Sequence, residues 1–156
     1  MGSGNSNLNN NQYILLAEDD PDDCMLFEQA FNEVNNVFLS LKVVNDGAEL
    51  MNFLEDTTSL PKLIFLDLNM PVKNGYECLL ELKGDDRLKN IPVIIYSTSG
   101  SPSDIEKTSS AKAHLYITKA KSFTHLKKII HKVLVTDFVN NLSQPPKENF
   151  LFFVDE

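Results

Sequence analysis

Residues that could carry out chemistry follow directly after four short apolar runs of this chain. They are Glu18 and Asp19, then Asp67, then Ser97 with Thr98, and finally Lys119. An isolated charged residue in such a position is usually only solvated. Four such positions in one chain of this size indicate a shared site.

Acids that share one cleft raise each other's pKa unless a cation neutralises them. Mg²⁺ suits such a site because it takes one or two carboxylates and completes its octahedron with water and phosphate oxygens. With the ion in place, Asp67 could act as a nucleophile towards phosphorus, since carboxylates form aspartyl phosphates. The ion, the Lys119 ammonium and the Ser97 hydroxyl would then meet the phosphoryl oxygens. These residue types predict transfer of a phosphoryl group to an aspartate.

Five apolar runs alternate with segments whose apolar residues are spaced three and four apart, as in amphipathic helices. The runs, which we interpret as strands, cover 13–17, 37–44, 62–67, 92–97 and 113–118. Repeated strand–helix units predict an α/β fold, a parallel sheet with helices on both faces. Because the carboxyl ends of parallel strands share one edge of the sheet, the polar residues are expected to converge there.

The helix starts agree with this pattern. The sequence "DPDD" (20–23) supplies an N-cap aspartate, a proline in the first turn and two further acids, and "SPSD" (101–104) repeats the device. One predicted helix is weak, because residues 102–112 offer mainly Ile105 and Ala111 to the core. We expect this helix to be the least firmly docked.

Composition excludes several kinds of partner. The net charge of −8 disfavours nucleic acid and anionic membrane surfaces, both of which attract basic proteins. No apolar run approaches the roughly 18–20 residues that span a bilayer, and the N-terminus lacks the order of a secretory signal. Cys24 and Cys78 have no metal-ligand spacing and are interpreted as free thiols. We therefore expect a cytoplasmic protein.

The chain of 156 residues is long enough for one domain with its own core. We expect a disordered leader at 1–12, the domain at 13–137 and a C-terminal tail at 138–156. The tail contains the apolar sequence "NFLFFV" (149–154), which would be a sticky patch if it were exposed. This segment is expected either to pack on its own domain or to form a homodimer contact.

Four motifs together resemble the receiver domain of two-component response regulators, over about Tyr13 to Thr136. The motifs are "ILLAEDDPDD", "LIFLDLNMPVKNG", "IPVIIYSTS" and "LYITKA". The resemblance implies a doubly wound, five-stranded parallel sheet of the flavodoxin-like order 2-1-3-4-5, with helices on both faces.

The same resemblance assigns roles to individual acids. It implies that Asp67 is the phosphoacceptor. It also implies that Mg²⁺ is bound by Glu18, Asp19, Asp67 and the backbone carbonyl of Asn69. Asp20, the next residue along, is assigned to the helix cap instead.

Further roles concern the residues around the acceptor. The resemblance makes Ser97 the switch hydroxyl, Lys119 the lysine that pairs with phosphate, and Tyr116 the aromatic residue that turns inward when the hydroxyl is drawn to phosphate. Gly75 is expected to make the close turn into the next helix. The chain departs from the family in having Ala120, where proline, often after a cis peptide, is usual. Because a cis bond before alanine costs roughly 2.5–4 kcal/mol, we expect a trans bond.

The resemblance implies a signalling module and not an enzyme with a separate substrate. A histidine kinase would donate the phosphoryl group, and the protein would catalyse its own phosphorylation and dephosphorylation. About twenty residues follow the domain, too few for a DNA-binding unit. The output is therefore expected through contact with a target protein or a phosphorelay partner. The motifs are also similar to those of regulators paired with bacteriophytochrome-type kinases.

Two alternatives use the same residues differently. A haloacid-dehalogenase-like phosphatase also has a strand-end aspartate and Mg²⁺, but its nucleophile ends the first strand in a D-x-D motif. Asp67 ends the third predicted strand, and Asn69 stands where the second acid would be. A pseudo-receiver would bind partners without phosphorylation, and the full set of acids, hydroxyl and lysine argues against it.

Overall fold

The computed structural model describes residues 12–35, 39–136 and 150–152. Strands and helices alternate along the chain. The strands are β1 (Tyr13–Ala17), β2 (Ser40–Val44), β3 (Leu63–Leu66), β4 (Val93–Ser97) and β5 (Leu115–Thr118). The helices are α1 (Pro21–Val34), α2 (Gly47–Asp56), α3 (Gly75–Gly84), α4 (Pro102–Ser110) and α5 (Phe123–Val135). All neighbouring strands are parallel, in the order β2-β1-β3-β4-β5, and this confirms the predicted fold class.

Each face of the sheet has its own apolar core, because side chains alternate between the two faces along a strand. One core joins Leu15, Ile64 and Ile95 of the sheet to Leu50, Leu54, Leu79 and Leu82 of α2 and α3. The other joins Ile14, Phe65 and Ile94 to Phe27, Phe31, Ile129 and Ile130 of α1 and α5. Both faces of the sheet are therefore covered, and functional side chains gather at the carboxyl edge of the strands.

Helix α1 begins as the sequence predicts. The backbone N–H groups of Asp22 and Asp23 donate to Asp20 Oδ1 at 2.8 and 3.0 Å, and Pro21 is the first helical residue. This cap satisfies N–H groups that have no partner within the helix. It also fixes the direction in which the first turn leaves β1, which brings Asp23 over the carboxyl edge of the sheet.

Helix α4 is weakly docked, as expected. Thr108 is its one buried residue, and Ile105 is only partly buried. The helix ends at Ser110, two residues earlier than predicted. Lys112 has a φ of 76°, a left-handed conformation that no helix continues through.

The segment Phe150–Phe152 lies alongside the edge strand β5. Tyr116 N–H donates to Phe150 O at 2.9 Å, and Phe152 N–H donates to Tyr116 O at 2.9 Å. Phe150 is 1% exposed and belongs to the α2–α3 core. Of the two alternatives for the apolar tail, the structure shows this part packing on its own domain.

Several sequence expectations fall partly outside the described residues. These are the leader apart from Gln12, the first two residues of the strand predicted from 37, and the tail apart from 150–152. Within the described ranges, every helix is too short or too polar to cross a bilayer. Cys24 and Cys78 are both free thiols, as expected.

Candidate functional site

Three acids meet where the carboxyl ends of β1 and β3 lie side by side. One oxygen each from Glu18, Asp19 and Asp67 lies within 4.8 Å of the others. Glu18 and Asp67 are buried, at 2% and 5% exposed, whereas Asp19 is exposed. The sheet's hydrogen bonding continues past the strands, because Glu18 N–H donates to Val44 O at 3.0 Å and Asp67 N–H donates to Ala17 O at 3.1 Å. The backbone therefore holds the two buried acids in register.

Among the described residues, one ammonium group joins this cluster. Lys119 Nζ lies 2.6 Å from Glu18 Oε1, 2.9 Å from Asp23 Oδ2 and 3.5 Å from Asp67 Oδ2. Asp23 is a site residue that the sequence analysis assigned only to the first helical turn. Its position three residues after the N-cap, on the turn that leaves β1, is the signal that could have identified it.

The charges at this site are unbalanced. Burial raises the pKa of Glu18 to about 7, the Lys119 hydrogen bond partly offsets this, and the charge of Asp67 adds to the rise. Burial by itself would lower the pKa of Lys119, but its hydrogen bonds to Glu18 and Asp23 outweigh burial and hold that pKa above the ordinary value. One cation thus faces three carboxylates, with Asp19 as a fourth nearby.

The donor set fits a hard divalent cation. All three converging side chains offer carboxylate oxygens, the ligands that such ions prefer, and their excess negative charge favours a second cation beside Lys119. Asn69 lies next to the predicted acceptor, since its N–H donates to Asp67 Oδ1 at 3.3 Å. Its carbonyl remains a predicted ligand.

We expect Mg²⁺ to raise the unfolding temperature more at pH 8 than at pH 6. The folded-state pKa of Glu18, about 7, lies above its unfolded value. The metal-free protein therefore loses stability as pH rises from about 4.5 through 7. A bound cation needs the ionised carboxylate, so Mg²⁺ affinity should be about tenfold weaker at pH 6 than at pH 8. Thermal unfolding with and without Mg²⁺ measures the difference. In Glu18→Gln, Mg²⁺ should raise the unfolding temperature equally at pH 6 and pH 8. Equal rises in the wild type at the two pH values would contradict the assignment of Glu18 as a metal ligand.

The two predicted switch residues are connected through Ser99. Ser99 N–H donates to Ser97 Oγ at 3.2 Å, and Tyr116 OH donates to Ser99 O at 2.6 Å. Ser99 Oγ donates to Asp104 Oδ2 at 2.6 Å, which links the same loop to α4. Tyr116 is fully buried here, with its ring centroid 6.2 Å from that of Phe150. The structure thus brings Ser97, the buried ring of Tyr116 and helix α4 into one hydrogen-bonded chain.

The loop after Asp67 differs from expectation in how it turns. Its left-handed residue is Val72, with a φ of 67°, and among the described residues no glycine has a positive φ. Gly75 is needed for a different reason. A Cβ at this position would collide with Asp67 O and would lie 2.8 Å from Leu68 Cα. The glycine therefore lets α3 start directly against the backbone of Asp67.

The Lys119–Ala120 bond is trans, as predicted, since no cis peptide occurs in the described ranges. Lys119 N–H donates to Ser97 O at 2.8 Å. Ala120 N–H, a donor that proline would lack, donates to Tyr96 OH at 3.2 Å.

A doubly wound sheet with an acidic cluster at its topological switch point defines the class of this protein. The family model described as "Response regulator receiver domain" matches residues 14–131. The chain belongs to this family. The phosphatase alternative is therefore wrong, in keeping with the place of Asp67 after β3.

Relatives and solved structures agree with this membership. Response regulator Rcp1 of Synechocystis sp. is 32% identical over 125 residues, which cover 77% of this chain and 84% of the relative. The phosphorylated cyanobacterial phytochrome response regulator RcpA has a TM-score of 0.74 and 36% identity, covering 79% of this chain and 91% of that chain. The Mn²⁺-bound form of Rcp1 has a TM-score of 0.74 and 29% identity, and the match covers 86% of this chain and 99% of that chain.

The protein is accordingly a receiver-domain response regulator of two-component signalling. Receivers of this family take a phosphoryl group from a histidine kinase, act on a downstream partner and bind a divalent metal through an acidic pocket.

Proposed function

We propose that this protein accepts a phosphoryl group from a histidine kinase on Asp67. Mg²⁺ would be held by Glu18, Asp19, Asp67 and the backbone carbonyl of Asn69. The observation that supports this proposal best is the convergence of the Glu18 and Asp19 carboxylates and the Lys119 ammonium on Asp67 at the switch point of the sheet.

The bound ion would neutralise the carboxylates and polarise the phosphoryl oxygens. A carboxylate oxygen of Asp67 attacks phosphorus, the bond from phosphorus to the kinase histidine breaks, and its electron pair stays on the imidazole nitrogen. Lys119 pairs with a phosphoryl oxygen that arrives beside Asp67, from which its Nζ is 3.5 Å away. Ser97 Oγ is an acceptor in its bond with Ser99, so its own O–H can donate to another phosphoryl oxygen.

We expect the wild-type protein, incubated with a small acyl-phosphate donor and Mg²⁺, to gain the mass of one phosphoryl group. Chelation of the metal should abolish the gain, because the acids then repel the incoming anion. Hydroxylamine should remove the group, since an aspartyl phosphate is a reactive acyl phosphate. Intact-mass spectrometry makes all three measurements. No uptake would favour a pseudo-receiver, whereas uptake that resists the chelator would contradict the proposed requirement for a metal ion.

The remaining assignments extend this proposal. We propose 13–137 as the receiver domain, the cytoplasm as its location, and a target protein or phosphorelay partner as the recipient of the signal. The likeness to phytochrome response regulators supports a bacteriophytochrome-type kinase as the donor. A phosphotransfer profile against candidate kinases tests the donor, and gel filtration before and after phosphorylation tests for a homodimer.

We further propose that the protein hydrolyses its own phosphate, with Asn69 and Ser99 flanking the path of water. Asn69 is exposed, whereas Ser99 is half-buried and held by Asp104. Asn69→Arg should lengthen the phosphate lifetime, because a long cationic side chain can cover the group and pair with its oxygens. The decay of phosphorylated protein by mass spectrometry measures this lifetime. The control is Asn52→Arg, because Asn52 is also exposed but lies on α2. An unchanged lifetime in Asn69→Arg would mean that Asn69 does not control the access of water.

A further inference from the structure

Tyr96, the residue before Ser97 in β4, is held rigidly in the core. Its side chain is 6% exposed and lies in the core covered by α1 and α5. The ring centroid is 5.9 Å from that of Phe27 and 6.4 Å from that of Phe65, both in edge-on geometry. Such close packing holds the ring in a single orientation and therefore fixes the position of its hydroxyl.

That hydroxyl reaches the loop that carries Lys119. It accepts the hydrogen bond from Ala120 N–H at 3.2 Å. On the other side, Lys119 N–H donates to Ser97 O at 2.8 Å. Two successive residues of β4 therefore hold the two peptide N–H groups that flank the Cα of Lys119. The Nζ atom lies 5.9 Å from the centroid of the Tyr96 ring, so the tyrosine also lies beside the ammonium.

We infer that Tyr96 is a positioning residue for Lys119, and that it acts through its hydroxyl. The inference rests on the proposed role of Lys119 in pairing with the phosphoryl group. Without the hydroxyl, Ala120 N–H loses its partner, and the backbone after Lys119 is fixed on one side only. The ammonium then spends less time in the geometry the reaction needs, and small displacements of a reacting group lower rates strongly.

A core role and a positioning role predict different results for Tyr96→Phe, because this change keeps the ring and removes only the hydroxyl. We expect phosphoryl uptake to fall about tenfold, the ratio that corresponds to one hydrogen bond of ordinary strength. Tyr13→Phe is the matched control. Tyr13 is also a strand tyrosine whose hydroxyl is hydrogen-bonded to the backbone, although here the hydroxyl donates, to Ser59 O, and Tyr13 starts β1 at the far end from the site.

A double-mutant cycle tests whether the effect passes through Lys119. In a Lys119→Met background, adding Tyr96→Phe should change the residual uptake little. An equal loss in both backgrounds, or wild-type uptake in Tyr96→Phe, would overturn the inference.

A second measurement does not depend on phosphorylation. Hydrogen exchange of the Ala120 amide, followed by NMR, should become about tenfold faster in Tyr96→Phe and stay unchanged in Tyr13→Phe. An unchanged Ala120 amide would also overturn the inference. Failure of wild-type uptake with accelerated exchange would instead count against the proposed function.

Discussion

Asp67→Asn is expected to take up no phosphoryl group and yet to unfold at a higher temperature than the wild type in the absence of metal. An amide is not a nucleophile towards phosphorus, so uptake should be lost completely. Asparagine keeps the shape of aspartate and can still accept from Asn69 N–H. It removes one of the three carboxylates that face a single ammonium in a largely buried site.

The expected gain in metal-free stability is about 1–2 kcal/mol, because the charge of Asp67 helps to raise the pKa of Glu18 and a shift of one pKa unit corresponds to about 1.4 kcal/mol. Mg²⁺ should cancel the advantage, since the ion neutralises the wild-type cluster. Intact mass with a small phosphodonor measures uptake, and thermal unfolding measures stability. Asp86→Asn, at an aspartate whose side chain is 96% exposed, is the control. Uptake equal to wild type would remove Asp67 as the acceptor, whereas lost uptake with lost stability would point to misfolding.

Lys119→Met is expected to have the opposite effect on metal-free stability. The lysine side chain is 12% exposed and is paired with three acids. Removing the cation leaves these charges uncompensated, which should cost about 3 kcal/mol of unfolding free energy, as for other broken buried ion pairs. Mg²⁺ affinity should rise about tenfold, because the ion no longer shares the site with a positive charge.

Phosphoryl uptake by Lys119→Met should fall about a hundredfold even at saturating Mg²⁺, since the variant lacks one preorganised partner of the reacting oxygens. Chemical denaturation, metal titration and intact mass measure the three effects. Lys62→Met, at an exposed lysine before β3, should leave all three unchanged. Adding Glu18→Gln to Lys119→Met should recover part of the metal-free stability. Weaker Mg²⁺ binding by the single variant would contradict this electrostatic account.

Asp67→Asn and Lys119→Met test the same charge imbalance, because the first removes an acid and the second removes the cation. The acids destabilise the metal-free protein, and Lys119 only partly offsets their repulsion. This imbalance is also what would draw in a divalent ion and then a phosphoryl group. Stability without the metal is therefore exchanged for function with it, as is common at functional sites.

The sequence by itself determined the fold class, the order of elements and the acids that end β1 and β3. These follow from local patterns: the apolar runs identify the strands, three- and four-residue spacing identifies the helices, and Asp20 with Pro21 identifies the start of α1. Convergence of strand ends at one edge of a parallel sheet is a general geometric rule, so the site could be anticipated without coordinates.

Only the tertiary structure decided how these groups are paired. Asp23 and Lys119 are 96 residues apart in the chain, and no periodicity indicates that they meet at 2.9 Å. The same holds for the bond from Ala120 to Tyr96 and for the cover that Phe150 gives to Tyr116. Gly75 was expected for a turn and is needed for close approach to Asp67 instead. Local patterns record which side of an element faces the core. A hydrogen bond or an ion pair between distant segments forms only when the distance between its two atoms is right to within a few tenths of an ångström. The packing of the whole domain sets those distances.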